Sequence, residues 1–306
     1  MSISTLVPLA LAVVGAPLLL GVTNRTKAVF AGRSGPPLLQ PYHDLRKLLG
    51  KGAVYSQTTT WVFRAGPVIG LAAVLAAAGL VPFGGCRALV GFEGDLVLFA
   101  YLLGLARLFT VLAALDTGSS FEGMGASREV LFSTLAEPSL LLGLAAVARP
   151  TGALSLSDMH LALPLAAWAD SGLVLGLVAV VLLVVFLAEN SRIPVDDPTT
   201  HLELTMIHEV LVLDHSGPDL AFILYGAALK LWLLGTLIVG LVVPRVGFLA
   251  VDVVIACVGM LALAVLLGVI ESTMARLRMP RVPELLVGAA ALAGLALVLE
   301  FARNLS

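Results

Sequence analysis

Six acidic side chains lie in one short stretch, residues 189–214, at the junction of two apolar runs. They are Glu189, Asp196, Asp197, Glu203, Glu209 and Asp214. Acids that are close together and partly buried titrate in steps, so this group could hold and exchange protons. The competing interpretation is a solvated loop whose acids cap helices and pair with Arg192. The residues by themselves leave both interpretations open.

The middle of this stretch contains a helix start. Asp197 followed by Pro198 combines a capping carboxylate with proline at the first helical position. A helical period then predicts one face with His201, Thr205, His208 and Glu209 and an opposite face with Glu203 and Asp214. A helix with ionisable groups on both faces cannot lie against lipid. We expect it to be enclosed by protein or to line a wet cavity.

The histidines and cysteines predict no metal ligands and no redox centre in this chain. His201 and His208 lack the i, i+4 spacing of the zincin motif, which favours hydrogen-bonded structural roles. Cys86 and Cys257 each lack a CxxC partner, whereas iron–sulfur clusters generally need four thiolates. The chain is therefore expected to move ions, to bind a mobile carrier or to anchor subunits that hold cofactors.

Three further charges, Arg107, Glu137 and Lys230, lie inside long apolar runs. Each costs roughly 2.5–3.5 kcal/mol at the centre of a membrane helix, so all three should face the interior of a helix bundle. Glu137 has two candidate partners of opposite charge, Arg107 and Lys230. The pair would be either a static structural contact or a step in a proton route.

Composition places these runs in a membrane. The 306 residues are 59% hydrophobic and 12% charged, with mean hydropathy +1.04, whereas soluble domains carry roughly 25% charged residues. We predict an all-α polytopic membrane protein with about eight transmembrane helices, a cytoplasmic-side interfacial helix and a structured fifth loop. One membrane domain, 1–306, would contain spans near 3–22, 63–83, 93–115, 129–148, 171–189, 219–242, 247–270 and 283–302. Its docking loops would be 23–62, 116–128, 190–218 and 271–282.

Loop charge predicts the orientation. The odd-numbered loops hold twelve of the Lys and Arg residues, while the even-numbered loops and the carboxyl tail hold four. Basic loops stay in the cytoplasm, so both termini should lie outside and the docking loops should be cytoplasmic.

The first loop contains a predicted amphipathic helix beginning at Gln40. Leu45, Leu48 and Leu49 share its apolar side. This pattern is typical of a helix on the membrane surface, and it is also compatible with a helix that guards a lateral cavity entrance.

Four segments together resemble the H-subunit of respiratory complex I, or mitochondrial subunit 1. They are QPYHD (40–44) with Lys47, Arg128 with Glu137, AENSRIP (188–194) with Asp196 and Glu203, and Arg276 with Arg281. Three strings more closely resemble the membrane subunit of formate hydrogenlyase, hydrogenase-4 and related energy-converting nickel–iron hydrogenases. They are LDTGSSF (115–121), GMGASRE (123–129) and RIPVDDPTTHLELTMIHE (192–209).

The resemblance implies roles for individual residues. Glu137, Glu189 and Glu203 match acids of the channel that joins the redox-arm junction to the antiporter-like subunits. We assign the ion pathway to Glu137, Glu189, Asp196, Asp197, Glu203, Glu209, Asp214 and Lys230. We assign junction or docking roles to Gln40, Asp44, Lys47, Arg128, Glu129, Arg192, His201, His208, Arg276 and Arg281.

Departures from the quinone-reducing branch refine the implied function. Two positions where that branch typically has glutamates hold Thr199 and His201, and Gly52 replaces the acid after the first-loop lysine. These changes fit a branch whose final electron acceptor is a proton at a nickel–iron centre in a partner.

The implied protein is an ion-translocating anchor subunit in a prokaryotic inner membrane, without a cofactor or nucleic acid of its own. Its implied partners are hydrogenase-like large and small subunits, a ferredoxin-like iron–sulfur subunit and antiporter-like membrane subunits. The nickel–iron centre and the iron–sulfur clusters would lie in those partners. The alternatives are a quinone-binding subunit of a quinone oxidoreductase, a free-standing transporter and a passive anchor.

Overall fold

The computed structural model describes residues 3–163, 165–196 and 207–303, without the side chains of residues 165–167 and 170. Within these ranges the structure is nearly all helical, with short 3-10 turns at Ile3–Thr5 and Val210–Val212. The helices are α1 (Val7–Phe30), α2 (Gln40–Leu49), α3 (Trp61–Ala78), α4 (Asp95–Asp116), α5 (Ser120–Thr151), α6 (Leu156–Leu161), α7 (Leu165–Glu189), α8 (Gly217–Val242), α9 (Leu249–Thr273) and α10 (Arg281–Arg303).

Eight of the described helices, all except α2 and α6, are long and apolar enough to cross a bilayer. The predicted all-α class and the number of spans are confirmed. Several boundaries differ from the prediction. Helix α1 continues to Phe30, α3 ends at Ala78, α7 begins at Leu165, and α5 begins at Ser120, inside the expected 116–128 docking loop. Glu122 lies in the first turn of α5, where a negative charge interacts favourably with the helix dipole.

Because consecutive spans run in opposite directions, the loops alternate between the two ends of the bundle. Residues 31–60, 117–119, 190–196, 207–216 and 274–280 lie at one end, which we call the junction face. Residues 79–94, 152–163 and 243–248 lie at the other end, the opposite face. The predicted first-loop helix is present as α2, on the junction face.

Helix α8 is the central element of the bundle, with α1, α2, α3, α7 and α9 packed around it. Leu229, Leu231 and Leu233 of α8 are almost fully buried. In contrast, Val254 and Val258 of α9 point outward and are available to lipid. Around this centre, α3 packs along α4, and α10 packs along α5 and α7.

A glycine allows α3 and α4 to approach closely. A Cβ atom at Gly66 would lie only 2.9 Å from the Cβ of Ala113 and 3.0 Å from the carbonyl oxygen of Phe109. Small residues at such crossings let helix backbones meet inside a membrane, where packing rather than the hydrophobic effect drives helix association.

Buried or capping carboxylates hold loops in place on both faces. On the junction face, Asp116 at the end of α4 accepts hydrogen bonds from the Thr60 backbone N–H (2.6 Å) and hydroxyl (2.8 Å) at the start of α3. On the opposite face, Asp95 accepts from the Leu156 N–H (2.7 Å) and the Ser155 hydroxyl (2.8 Å), which anchors α6.

Candidate functional site

The junction half of the bundle contains a buried carboxylate between two cations from different helices. Glu189, the last residue of α7, accepts hydrogen bonds from Nη2 of Arg107 in α4 at 2.6 and 2.5 Å. Its Oε2 atom also lies 3.1 Å from Nζ of Lys230 in α8. The Glu189 side chain is 5% exposed, against 11% for Arg107 and 17% for Lys230. Mutual pairing offsets the cost of these charges within the spans.

Two more acids of α5 belong to the same group. Oε1 of Glu129 lies 3.7 Å from Nε of Arg107. Glu137 is within electrostatic range of Arg107, but no ion pair with it forms among the described residues. Among the described residues, Glu189 rather than Glu137 forms the ion pairs with Arg107 and Lys230.

We call Arg107, Glu129, Glu137, Glu189 and Lys230 the junction network. If every member were ionised, three negative charges would face two positive charges. A group with one excess carboxylate in a region of low dielectric constant can accommodate a proton. Glu189 already pairs with both cations, so the excess negative charge of the network lies on its remaining carboxylates.

Asp196 closes the base of the fifth loop. Its Oδ2 accepts backbone N–H hydrogen bonds from Ile207 (3.1 Å) and His208 (3.2 Å), and its Oδ1 lies 2.9 Å from Nη2 of Arg276. The Leu277 N–H also donates to the carbonyl of Pro194 at 2.9 Å. Asp196 thereby joins Ile207 and His208 to the loop that follows α9.

Arg192 has a partner outside the fifth loop. Its Nη1 lies 3.2 Å from Oε1 of Glu271, at the end of α9, and Nζ of Lys27 from α1 lies 2.8 Å from Oε2 of the same carboxylate. Sequence reasoning missed Glu271, although its position at the very end of an apolar run, five residues before Arg276, was a usable signal.

His208 lies at the edge of the junction network. Burial and then the charge of Lys230 lower the pKa of His208 from 6.5 to about 4, with an opposing effect from Asp196. The imidazole is therefore neutral at neutral pH. No group of three or more His, Cys, Asp or Glu side chains suited to a metal ion occurs in the described ranges.

Two titratable groups that the sequence did not single out, one from α5 and one from the fifth loop, lie near the end of that loop. Glu122 of α5 is buried and accepts the Asp214 N–H at 3.3 Å. The ring of His215 stacks on Phe63 at a centroid distance of 4.0 Å, and burial lowers the pKa of His215. Asp214, assigned to the ion pathway, has an exposed side chain, whereas Glu209 is half-buried.

The remaining docking residues lie toward the surface of the junction face. Gln40 donates to Asp44 at 2.8 Å along α2. Asp44, Lys47 and Arg281 are exposed, and Arg128 is half-buried. The assignments to Asp197, His201 and Glu203 lie outside the described residues.

Two tyrosines fasten α2 and α8 to the same turn of α1. The Tyr42 hydroxyl donates to the carbonyl of Val14, and the Tyr225 hydroxyl donates to the carbonyl of Val13 at 2.8 Å. The first-loop helix is thus attached to α1, and it also packs against α8.

Eight apolar spans with converging ion pairs in their junction half define a multi-pass membrane protein with an internal polar site. The family model described as NADH dehydrogenase matches residues 3–301, so the chain belongs to this family, of the complex I H-subunit type.

Curated relatives cover most of the chain. Formate hydrogenlyase subunit 4 of Escherichia coli (strain K12) is 33% identical over 280 residues, covering 88% of this chain and 89% of that protein. Hydrogenase-4 component C of the same strain is 32% identical over 228 residues, covering 74% and 71%. The H-subunit of the NADH-quinone oxidoreductase of Anaplasma phagocytophilum (strain HZ) is 29% identical over 218 residues, covering 66% and 62%.

A solved structure shares the fold. A chain of the membrane-bound sulfane sulfur reductase, an archaeal respiratory membrane complex, superposes with a TM-score of 0.82 over 97% of this chain and 98% of that chain. Its 20% sequence identity supports the likeness of fold alone.

Proposed function

We propose that this chain is the membrane-anchoring, ion-translocation-coupling subunit of a complex I-like membrane-bound hydrogenase of the formate hydrogenlyase and hydrogenase-4 type. It links a hydrophilic redox arm on the junction face to antiporter-like subunits in the membrane. Its partners are hydrogenase-like large and small subunits, a ferredoxin-like subunit and those antiporter-like subunits. The partners hold the nickel–iron centre and the iron–sulfur clusters.

The observation that carries this proposal is the position of Glu189 between Arg107 and Lys230. Coupling requires an element with two states that both sites bias. Arg107 is such an element, since its guanidinium group can pair with Glu189, as in this structure, or shift toward Glu129. The Oε1 atom of Glu129 lies 3.7 Å from Nε of Arg107.

The fifth loop connects this switch to the junction face. Only six residues lie between Glu189 and Asp196, which accepts hydrogen bonds from Ile207 and His208 in the same loop. A docked arm that moves the loop would therefore displace Glu189 relative to its two cations. The resulting change in net charge would alter the electrostatic potential at acidic residues of the neighbouring membrane subunits.

The excess of basic residues at the junction face supports a cytoplasmic location for it, with both termini outside, in a prokaryotic inner membrane. The two relatives named as hydrogenlyase and hydrogenase components support the hydrogenase assignment, because they match this chain over 88% and 74% of its length.

The test is ion movement by membrane vesicles that carry the assembled complex during turnover of its redox partner. Glu189→Gln preserves shape but removes the charge, so we expect loss of coupled ion movement with the subunits still assembled. Glu284→Gln is the matched control, since Glu284 is exposed at the start of α10. Unchanged ion movement in Glu189→Gln would contradict the coupling role and support a passive anchor.

The alternative function is that of a quinone-binding H-type subunit. It is favoured by the relative from an NADH-quinone oxidoreductase and by α2, which lies against α1 and α8 where a lateral entrance would be. Quinone retained by the purified complex, together with inhibition by quinone analogues, would support this alternative. Their absence would support the hydrogenase assignment.

A further inference from the structure

The opposite face contains a histidine at the meeting point of two clefts. His160 of α6, together with Thr236 and Gly240 of α8, lines both of them. One cleft, about 290 Å³ including its open mouth, begins among loop residues and is also lined by Arg245 and Asp252. The second, about 430 Å³, continues between apolar side chains of α5, α6, α7 and α8.

The structure accommodates His160 by a close approach to α8. A Cβ atom at Gly240 would lie 2.6 Å from Nδ1 of His160, so the ring can occupy this place only beside a glycine. Nε2 of His160 is buried and has no hydrogen-bond partner among the described residues. A buried ring nitrogen without a protein partner is a site that water can satisfy.

The electrostatic surroundings keep this imidazole neutral. Burial and then the nearby charge of Arg245 lower the pKa of His160 to about 4, while Asp252 acts in the opposite direction. The carboxylate of Asp252 is held by the N–H groups of Val246 (2.7 Å) and Gly247 (3.2 Å). A neutral imidazole near a fixed cation and a fixed anion can accept a hydrogen bond from water and pass a proton.

Helix α8 aligns this region with the junction network. Thr236 lies six residues beyond Lys230, about 9 Å further along the helix. Leu233 and Leu234 lie between them and are buried. The two polar regions thus lie along one helix, on faces roughly 120° apart, with buried leucines between them.

We propose that the two clefts at His160 form a hydrated half-channel that opens on the opposite face and ends at Thr236. This inference rests on the proposed function, because the half-channel gives ions a route between the junction network and the far side of the membrane. The narrow clefts suit water and protons rather than a larger solute. The barrier at Leu233 and Leu234 prevents leakage when the network is at rest.

The test measures water access directly. Cysteine is introduced at Thr236, at Leu234 or at exposed Ser56 on the junction face, in the full chain carrying Cys86→Ser and Cys257→Ala. Membrane vesicles of both orientations are treated with a charged, membrane-impermeant methanethiosulfonate reagent. We expect T236C to react from the side opposite to S56C, and L234C to react from neither side.

A second variant tests the role of the glycine. Gly240→Ala places a methyl group against the His160 ring and so narrows the cleft that leads to Thr236. Labelling of T236C should therefore slow roughly tenfold, because overpacking by one methyl group is costly. Gly288→Ala, where a Cβ would meet nothing within 4 Å, should leave labelling unchanged. Failure of T236C to react from either side, or reaction from the same side as S56C, would overturn the half-channel. Because labelling needs no turnover, this outcome is separate from any failure of the proposed function.

Discussion

The junction network and the loop-anchoring carboxylates Asp95 and Asp252 of the opposite face are stabilised in different ways. In the junction half, Glu189 is held by the side chains of Arg107 and Lys230. On the opposite face, Asp95 and Asp252 are held largely by backbone N–H groups of loops. Side-chain cations can change partners within an intact fold, whereas a backbone N–H stays in place unless its loop unfolds. The difference separates acids that can switch from acids that hold structure.

The largest expected effect comes from removing the shared carboxylate. Glu189→Leu leaves Arg107 and Lys230 without their main partner inside the membrane. We expect a loss of about 3–5 kcal/mol of stability, because breaking a buried ion pair strands a charge. Thermal unfolding of the purified protein in detergent measures this loss. Glu189→Gln also removes the charge but keeps an oxygen that can accept from Arg107, so its loss of stability should be smaller. A Glu189→Gln protein as stable as the wild type would contradict the ion-pair assignment.

A smaller effect is expected on the opposite face. Asp95→Ala removes the acceptor for the Leu156 N–H and the Ser155 hydroxyl, with an expected loss of about 1–3 kcal/mol. Coupled ion movement per assembled complex should remain at the wild-type level, because this carboxylate only anchors α6. If Asp95→Ala abolished coupling while assembly persisted, the division between switching and structural acids would be wrong.

The mildest expected effect is a pH dependence. The pKa of His208 is about 4 in the folded protein, against 6.5 for an ordinary histidine. The unfolded chain therefore takes up its proton first as the pH falls, so stability is lost between pH 6.5 and about 4.

Replacing this histidine should flatten the acid limb of the stability profile. His160 and His215 are shifted in the same direction, so His208→Gln removes only part of the loss. His43→Gln, at an exposed position of α2, is the control. Melting temperatures across this pH range measure the effect, and identical profiles for His208→Gln and the wild type would contradict burial of a neutral imidazole.

The spans could be predicted because the membrane imposes a simple rule. A helix that crosses hydrocarbon must be apolar over its length, so eight apolar runs identified eight spans. The first-loop helix was equally readable from its amphipathic period and its start at Gln40. The extension of α5 back to Ser120 was missed because its polar first turns resemble a loop in hydropathy alone.

The partners of the buried charges could not be predicted from the sequence. Spacing fixes which residues share a helix face, but not how two distant helices are rotated toward each other. The sequence thus left Arg107 and Lys230 as candidate partners of Glu137, whereas both cations pair with Glu189, which lies 82 positions after Arg107. Glu271 was overlooked for the same reason, since nothing in the sequence connects it with Lys27 or Arg192.

The most direct measurement is the infrared difference spectrum of the assembled complex between its oxidised and reduced states. We predict a change in the C=O stretch of a protonated carboxyl group that is lost in Glu129→Gln and that persists in Asp252→Asn. A spectrum of Glu129→Gln identical to that of the wild type would contradict a redox-linked proton in the junction network.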